Sequence, residues 1–193
     1  MKIAIIGTAY PYRGGLATFN ERLAREFMSE GHEVNMYTFT LQYPSFLFPG
    51  KSQFSNEKTP EDIVITRCVH SCNPFNWVKV GRMLKKQRPD ILITCYWMAF
   101  FAPCYGVIER IVKSNRHTKC IALVHNMMPH EPTLLDKLFA PFYIKSTDAF
   151  VALSQSVVQD IAALDKDKKE KRFSPHPTYD HYGTLLPKED ACE

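Results

Sequence analysis

The sequence predicts an α/β protein built around an open, doubly wound and mostly parallel sheet with helices on both faces. Short apolar runs alternate along the chain with longer segments whose apolar residues recur every three or four positions, which is the pattern of successive β-α units. The 193 residues are 45% hydrophobic and 23% charged, which supplies one packed core and excludes a disordered or fibrous chain.

The apolar runs predict six strands, at residues 2–7, 33–39, 63–69, 90–96, 119–124 and 149–153. Five helices are predicted between and after them: one from Leu16 that Gly31 ends, two at 73–87 and 99–113, one from Thr133, and one capped by Ser154. The fourth helix carries an apolar stripe of Leu134, Leu135, Leu138, Phe139 and Phe142. Helical connections between strands imply a parallel sheet.

Two segments depart from this alternation. Residues 40–60 are rich in proline and aromatic residues, among them Phe46 and Phe48, and are too long for an ordinary connection. We interpret them as a binding loop for an acceptor or a membrane surface, or as a flap on the protein's own core.

Residues 165–172 are a run of charges that we expect to be solvated surface. Its Asp165-Lys166-Asp167 pattern is a chance match to a metal-binding pattern.

Composition narrows the class of protein further. The net charge of +4 gives no nucleic-acid signature, and no apolar run reaches the length of about 20 residues that spans a bilayer. The start of the chain lacks the features of a signal peptide, which predicts a cytosolic protein.

The six cysteines lack the spacing of zinc sites or disulfides, and the cluster Cys68-Val69-His70-Ser71-Cys72 has no second ligand pair. We therefore predict no metal and mostly buried thiols.

Ligands of such sheets bind beyond the carboxyl ends of the strands. The first strand runs into a loop at 7–15 in which Arg13, Gly14 and Gly15 precede a helix. Free amides at a helix start favour an anion, and glycine lets it approach closely, although a tight turn alone would also need glycine. The dinucleotide fingerprint is missing, and so is a P-loop lysine.

A second candidate site follows the fifth strand. Two imidazoles, a carboxamide and a carboxylate lie within residues 124–132: His125, Asn126, His130 and Glu131. A polar group at a buried sheet end is costly unless it is paired or used, which makes His125 the candidate reactive residue. Binding of loop carbonyls by His125, and stabilisation of Glu131 by the next helix, are the structural alternatives.

Four stretches together resemble the N-terminal domain of family-4 glycosyltransferases, which are retaining enzymes of the GT-B class. They are Pro11-Tyr12-Arg13-Gly14-Gly15-Leu16-Ala17-Thr18-Phe19, Gly31-His32-Glu33-Val34, His125-Asn126 with Pro129-His130-Glu131, and Ser174-Pro175-His176-Pro177-Thr178-Tyr179-Asp180. The resemblance implies two Rossmann-like domains facing across a cleft. It places Gly14 and Gly15 toward the donor diphosphate and His125 beside the transferred sugar. It implies no cofactor.

The resemblance also implies a division of the chain. Residues 1–180 would form the acceptor-side domain and 181–193 the start of a linker, with the donor-binding C-terminal domain absent. A pair of glutamates eight residues apart, which the family uses for the donor, does not occur here. We therefore expect the isolated chain to be inactive in sugar transfer and to bind a nucleotide-sugar weakly.

The expected partners are a nucleotide-sugar and a glycan or lipid-linked acceptor, with no nucleic acid. The expected location is the cytoplasm, with peripheral contact at the inner membrane face. Two alternatives stay open: a self-contained nucleotide-binding enzyme that uses His125 in acid-base chemistry, and a non-catalytic binding module. Continuation of the natural reading frame into a second β/α domain would separate the transferase from both.

Overall fold

The computed structural model describes residues 1–44, 53–55, 58–129, 133–166 and 168–177. All six predicted strands and all five predicted helices are present, and a seventh strand joins them. The strands are β1 (Lys2–Ile6), β2 (Glu33–Leu41), β3 (Ile65–His70), β4 (Ile91–Tyr96), β5 (Lys119–Val124), β6 (Ala149–Ala152) and β7 (Glu170–Phe173). The helices are α1 (Gly15–Ser29), α2 (Pro74–Gln87), α3 (Ala102–Lys113), α4 (Leu134–Ser146) and α5 (Gln155–Asp165).

The seven strands form one parallel sheet in the order β3-β2-β1-β4-β5-β6-β7. The helical crossovers put α1 on one face and α2 to α5 side by side on the other. The sheet has an apolar core on each face, and alternate residues of β1 point into one or the other. Ile3 and Ile5 pack with Phe19 of α1, whereas Ala4 and Ile6 face the layer of four helices. The doubly wound prediction is therefore confirmed, with unequal cover on the two faces.

The seventh strand corrects part of the prediction that residues 165–172 are solvated surface: Lys166, Lys168, Glu170 and Arg172 are exposed, whereas Asp165 is buried. Glu170–Phe173 pairs with β6, and the Lys171 ammonium lies 3.3 Å from the Asp165 carboxylate, with only 6% and 5% of these side chains exposed. Asp165 also accepts hydrogen bonds from the amides of Lys168 and Lys169. Strands were predicted from apolar residues. This strand was missed because its inward side chain is a lysine that an aspartate neutralises.

A buried polar network ties α3 and α4 to the sheet. Glu109 is fully buried and accepts hydrogen bonds from Thr94 Oγ1 at 2.8 Å and from Thr147 Oγ1 at 2.9 Å. Burial raises the pKa of Glu109 to about 7, against the opposing effect of these hydroxyl donors. Beside it, the Tyr143 ring stacks on the Tyr96 ring with centroids 4.7 Å apart. The inner side of α4 is thus held by both hydrogen bonds and ring packing.

The cysteines follow the sequence prediction in part. Cys95, Cys104 and Cys120 are buried free thiols, whereas Cys72 is exposed. Within the described ranges, no group of three His, Cys, Asp or Glu residues is placed to hold a metal ion. None of the helices described here has the length and apolar character needed to cross a bilayer.

Candidate functional site

The loop after β1 lies at the carboxyl edge of the sheet and is held from three directions. The Ala9 amide donates to Thr38 Oγ1 at 3.1 Å, which joins the loop to β2. The Tyr10 amide donates to Glu21 Oε1 of α1 at 2.8 Å. The Arg13 amide donates to the carbonyl of Gln53 at 3.0 Å. These contacts come from separate parts of the chain, so the loop presents its glycines in one defined geometry.

Gly14 caps α1 without a side chain. Its φ of 109° lies in a region that favours glycine, and the amides of Ala17 and Thr18 bond to its carbonyl. A Cβ built on Gly14 or Gly15 would meet no described atom within 4 Å. The helix therefore begins at open space with its positive end uncovered, which is the geometry that binds anions.

A small cleft of about 130 Å³ borders this helix start. Arg13 and Lys58 contribute cations to its lining, and Glu21 contributes a carboxylate that already accepts from the Tyr10 amide. Arg13 is exposed and directly precedes Gly14 in the sequence. The positive side chains add to the helix dipole, so the electrostatics of the cleft favour a phosphate group.

His125 directly follows β5, and its amide donates to the Tyr96 carbonyl at 2.9 Å. The imidazole is half-buried against the edge of the Phe19 ring, with centroids 5.1 Å apart. Its Nε2 atom is buried and has no hydrogen-bond partner in the described part of the chain. Burial, helped by nearby His176, lowers the pKa of His125 to about 4. The ring is therefore neutral at physiological pH and can donate or accept a hydrogen bond.

The structure brings helix α1 and two loops together at Phe19. This residue lies about one helical turn beyond Gly15, and its ring contacts both His125 and, at 5.2 Å, His176 in the segment after β7. The first turns of α1 and the segments after β5 and β7 thus meet at one place. Asn126 is exposed beside His125, whereas His130 and Glu131 lie outside the described residues, as do Phe46 and Phe48.

Two further polar residues of this edge were missed by the sequence analysis. Asn20 is buried on α1, and its Nδ2 donates to the Thr8 carbonyl at 2.9 Å. Asn20 Oδ1 and Thr8 Oγ1 are buried without a hydrogen-bond partner among the described residues. The sequence did contain a signal, because Asn20 is a polar residue on the side of the helix that the apolar residues mark as inward. It was overlooked because the neighbouring apolar positions alone were enough to predict the helix.

A larger groove of about 440 Å³ lies between α1 and the β5–β6 strands. Its lining is mostly apolar, with Leu23, Leu123, Val151 and Leu153 among the side chains, and Phe19 joins it to the His125 cluster. Apolar walls offer little to a phosphate or a sugar hydroxyl. The glycine loop and His125 therefore stay the candidate polar site, although the charged residues Arg22 and Glu26 also line this groove.

Together, the fold and this edge define a Rossmann-like α/β domain with a candidate ligand site at the carboxyl edge of its parallel sheet. A family model described as Glycosyltransferase Family 4 matches residues 13–171. The chain therefore belongs to glycosyltransferase family 4, as its motifs indicated. No curated protein sequence matches it.

Solved structures support the fold. One is an alpha-glucosyltransferase in complex with UDP and a 13-mer DNA containing a HMU base, at a TM-score of 0.54 and 11% identity over 89% of this chain and 41% of that one. Another is an alpha-glucosyltransferase in complex with UDP, at a TM-score of 0.52 and 14% identity over 87% of this chain and 37% of that one. The chain thus spans about two fifths of the structures it resembles. Because complexes with DNA occur among them, the expectation of no nucleic-acid partner stays a prediction.

Proposed function

We propose that this chain is the acceptor-side domain of a hexosyltransferase that moves a sugar from a nucleotide-sugar to a glycan or lipid-linked acceptor with retention. One observation carries the proposal: the uncapped start of α1 and the neutral imidazole of His125 are joined through Phe19 at the carboxyl edge of the sheet. The structural neighbours in complex with UDP or UDP-glucose support a nucleotide-sugar as the donor class.

Each residue has a distinct role in this proposal. The amides at Gly14 and Gly15 face the donor diphosphate, and Arg13 adds positive charge. His125 hydrogen-bonds the transferred sugar as a neutral ring, because its lowered pKa of about 4 leaves it uncharged at pH 7. Asn126, His130 and Glu131 contact substrate. Catalysis rests on stabilising the negative charge of the departing diphosphate by fixed dipoles, without a metal.

The proposal divides the work between two domains. The present chain, with residues 1–180 as the acceptor side and 181–193 as the start of the linker, is inactive alone because the donor is held mainly by the second domain. A lipid-linked acceptor would place the protein at the cytoplasmic face of a membrane, in polysaccharide biosynthesis. Titration calorimetry on the isolated chain with a panel of nucleotide-sugars tests this division, and clear binding of any of them would contradict it.

The decisive experiment measures sugar transfer and donor hydrolysis by the full protein with His125→Ala. We expect kcat/KM to fall at least about a hundredfold, which is the usual cost of removing one preorganised hydrogen-bonding group from a reacting centre. His117→Ala is the matched control, because His117 precedes the same strand that His125 follows and pairs with Asp90 at 2.9 Å at the opposite edge. Equal activity of both variants would reduce His125 to a structural residue and would leave the family membership unchanged.

A further inference from the structure

The outer side of α4 is apolar and uncovered in the described structure. Leu134, Leu135 and Leu138 are 85%, 60% and 65% exposed, and a shallow apolar hollow continues from Leu138 to Phe142 and Pro103 of α3. A single exposed leucine is ordinary, but adjoining ones mark a surface that contacts something apolar. On α2 of the same layer, Phe75 is 88% exposed.

The same three helices carry an excess of positive charge, although one of their cations, Lys113, is paired with the carboxylate of Asp148. Helices α2, α3 and α4 hold eight of the 24 lysines and arginines but only two of the 20 acidic residues. One of these acids is the fully buried Glu109. The other, Asp136, accepts from the amide of Thr133 at 2.8 Å and from its hydroxyl at 2.6 Å. The remainder of the chain is slightly acidic, with 16 cationic residues against 18 acidic ones.

Apolar and cationic side chains are ordered along the helices. On α2, Phe75 is followed at helical spacing by exposed Lys79, Arg82 and Lys86. On α4, the leucines of the first turns are followed by exposed Lys145 in the last turn. Because both helices begin at the carboxyl ends of strands, the apolar tips stand at the edge that bears the candidate site. The cations lie behind them.

We propose that the outer surface of α2, α3 and α4 docks on an anionic lipid bilayer, with the apolar tips entering the headgroup region and the cations behind them meeting lipid phosphates. Apolar side chains backed by lysine and arginine are the combination that holds helices at such interfaces. Nucleic acid would use the cations but would leave the leucines without a partner. A second copy of the chain would bring two positive surfaces together.

Co-sedimentation of the full protein, beside the present chain, with vesicles tests the docking surface. Binding by the present chain that the full protein lacks would overturn the proposal in favour of the second domain as the cover of these leucines. Vesicles contain phosphatidylglycerol and phosphatidylcholine in equal amounts, or phosphatidylcholine alone. We expect binding to the anionic vesicles that weakens with added salt. Leu134→Ser with Leu138→Ser should lower the partition coefficient at least about tenfold. Lys79→Gln with Lys145→Gln should lower it about fivefold for each lysine.

Matched controls lie elsewhere on the surface. Val64→Ser removes a side chain that is 60% exposed beside β3, and Lys168→Gln removes an exposed charge after α5, so both should bind as the parent does. Circular dichroism confirms that each variant is folded. Absence of vesicle binding by the parent overturns the proposal, as does binding that the leucine variant retains.

Two further measurements separate the competing occupants. Binding of a fluorescent DNA duplex that depends on the lysines but not on the leucines, without vesicle binding, would overturn the proposal in favour of nucleic acid. Self-association in sedimentation velocity that the leucine variant abolishes, without vesicle binding, would overturn it in favour of a second copy. No sugar donor enters these experiments, so their outcome is independent of the proposed transferase activity.

Discussion

Helix α1 directs its apolar stripe inward: Phe19 is buried, and Leu23 and Phe27 pack partly buried against the same core. Helix α4 does the reverse. Its three leucines face outward, while Ala140, Tyr143 and Ile144 are buried. The difference arises because the Tyr143 ring and the network around Glu109 orient α4. Helix α1 is oriented mainly by apolar burial, together with the hydrogen bond from Asn20 to the Thr8 carbonyl. An apolar stripe thus predicts a helix but does not decide which side of it is covered.

The two helices also begin differently. The first amides of α4 are satisfied by a capping box in which Thr133 Oγ1 accepts from the Asp136 amide, and Asn73 and Ser154 cap α2 and α5. Helix α1 begins at Gly14 with no side-chain cap. Helix α3 also begins without a side-chain cap, but there the short 3₁₀ turn Ala99–Phe101 runs directly into the helix. Among the described helices that begin directly from a loop, α1 is the one whose start is left bare, so its first amides are available to a ligand.

The largest expected effect separates the two sides of α4. Tyr143→Ala removes a fully buried ring and should lower the free energy of unfolding by about 3–5 kcal/mol. Leu138→Ala on the outer side should change it by no more than about 0.5 kcal/mol. Urea unfolding followed by circular dichroism measures both. A loss of about 2 kcal/mol or more for Leu138→Ala would show that this side is covered within the chain.

The next effect concerns the acid that orients α4. The pKa of Glu109 is raised from 4.5 to about 7 in the folded state, so the folded protein binds more protons than the unfolded one between these pH values. Its contribution to stability is complete below about pH 4.5 and is lost as the pH rises through about 7. The loss amounts to about 3 kcal/mol, from the conversion of about 1.4 kcal/mol per pH unit.

Glu109→Gln removes this titration. Urea unfolding of the parent and the variant between pH 4.5 and 8 should give a difference that changes by this amount and then levels off. His125 acts with the opposite sign, because its lowered pKa of about 4 makes stability increase with pH toward 6.5. Since His125 is present in both proteins, it cancels in the difference. Parallel curves for the two proteins would mean that Glu109 titrates normally.

Most of the fold could be predicted because local pattern and packing agree. The six apolar strands and the helix starts at Asn73, Thr133 and Ser154 follow from side chains whose preferences act within a few residues. Strand β7 could not be predicted, since it is mostly exposed and carries little apolar signal. The burial of its Lys171 side chain depends on a pairing with Asp165 that only the folded chain creates. The outward direction of α4 likewise depends on Thr94 and Tyr143, which lie far apart in sequence.

The candidate site could be predicted less fully. The glycine loop and His125 were found because each directly follows a strand. Phe19 and Asn20 were missed as site residues because their helix pattern explained them by burial alone. Their proximity to His125 and to Thr8 is a consequence of the fold. The roles of all the predicted site residues stay predictions: Arg13, Gly14, Gly15, His125, Asn126, His130 and Glu131.

The smallest expected effect on stability separates a structural helix start from a functional one. Thr133→Ala removes the α4 cap and should lower the free energy of unfolding by about 1 kcal/mol, while sugar transfer by the full protein stays unchanged. Gly15→Ala meets no atom within 4 Å and should leave stability unchanged or raise it by up to about 1 kcal/mol, because alanine favours a helix. Its methyl group would stand where the diphosphate approaches, so kcat/KM should fall about tenfold or more. Full activity in Gly15→Ala would show that the bare start of α1 is only a turn.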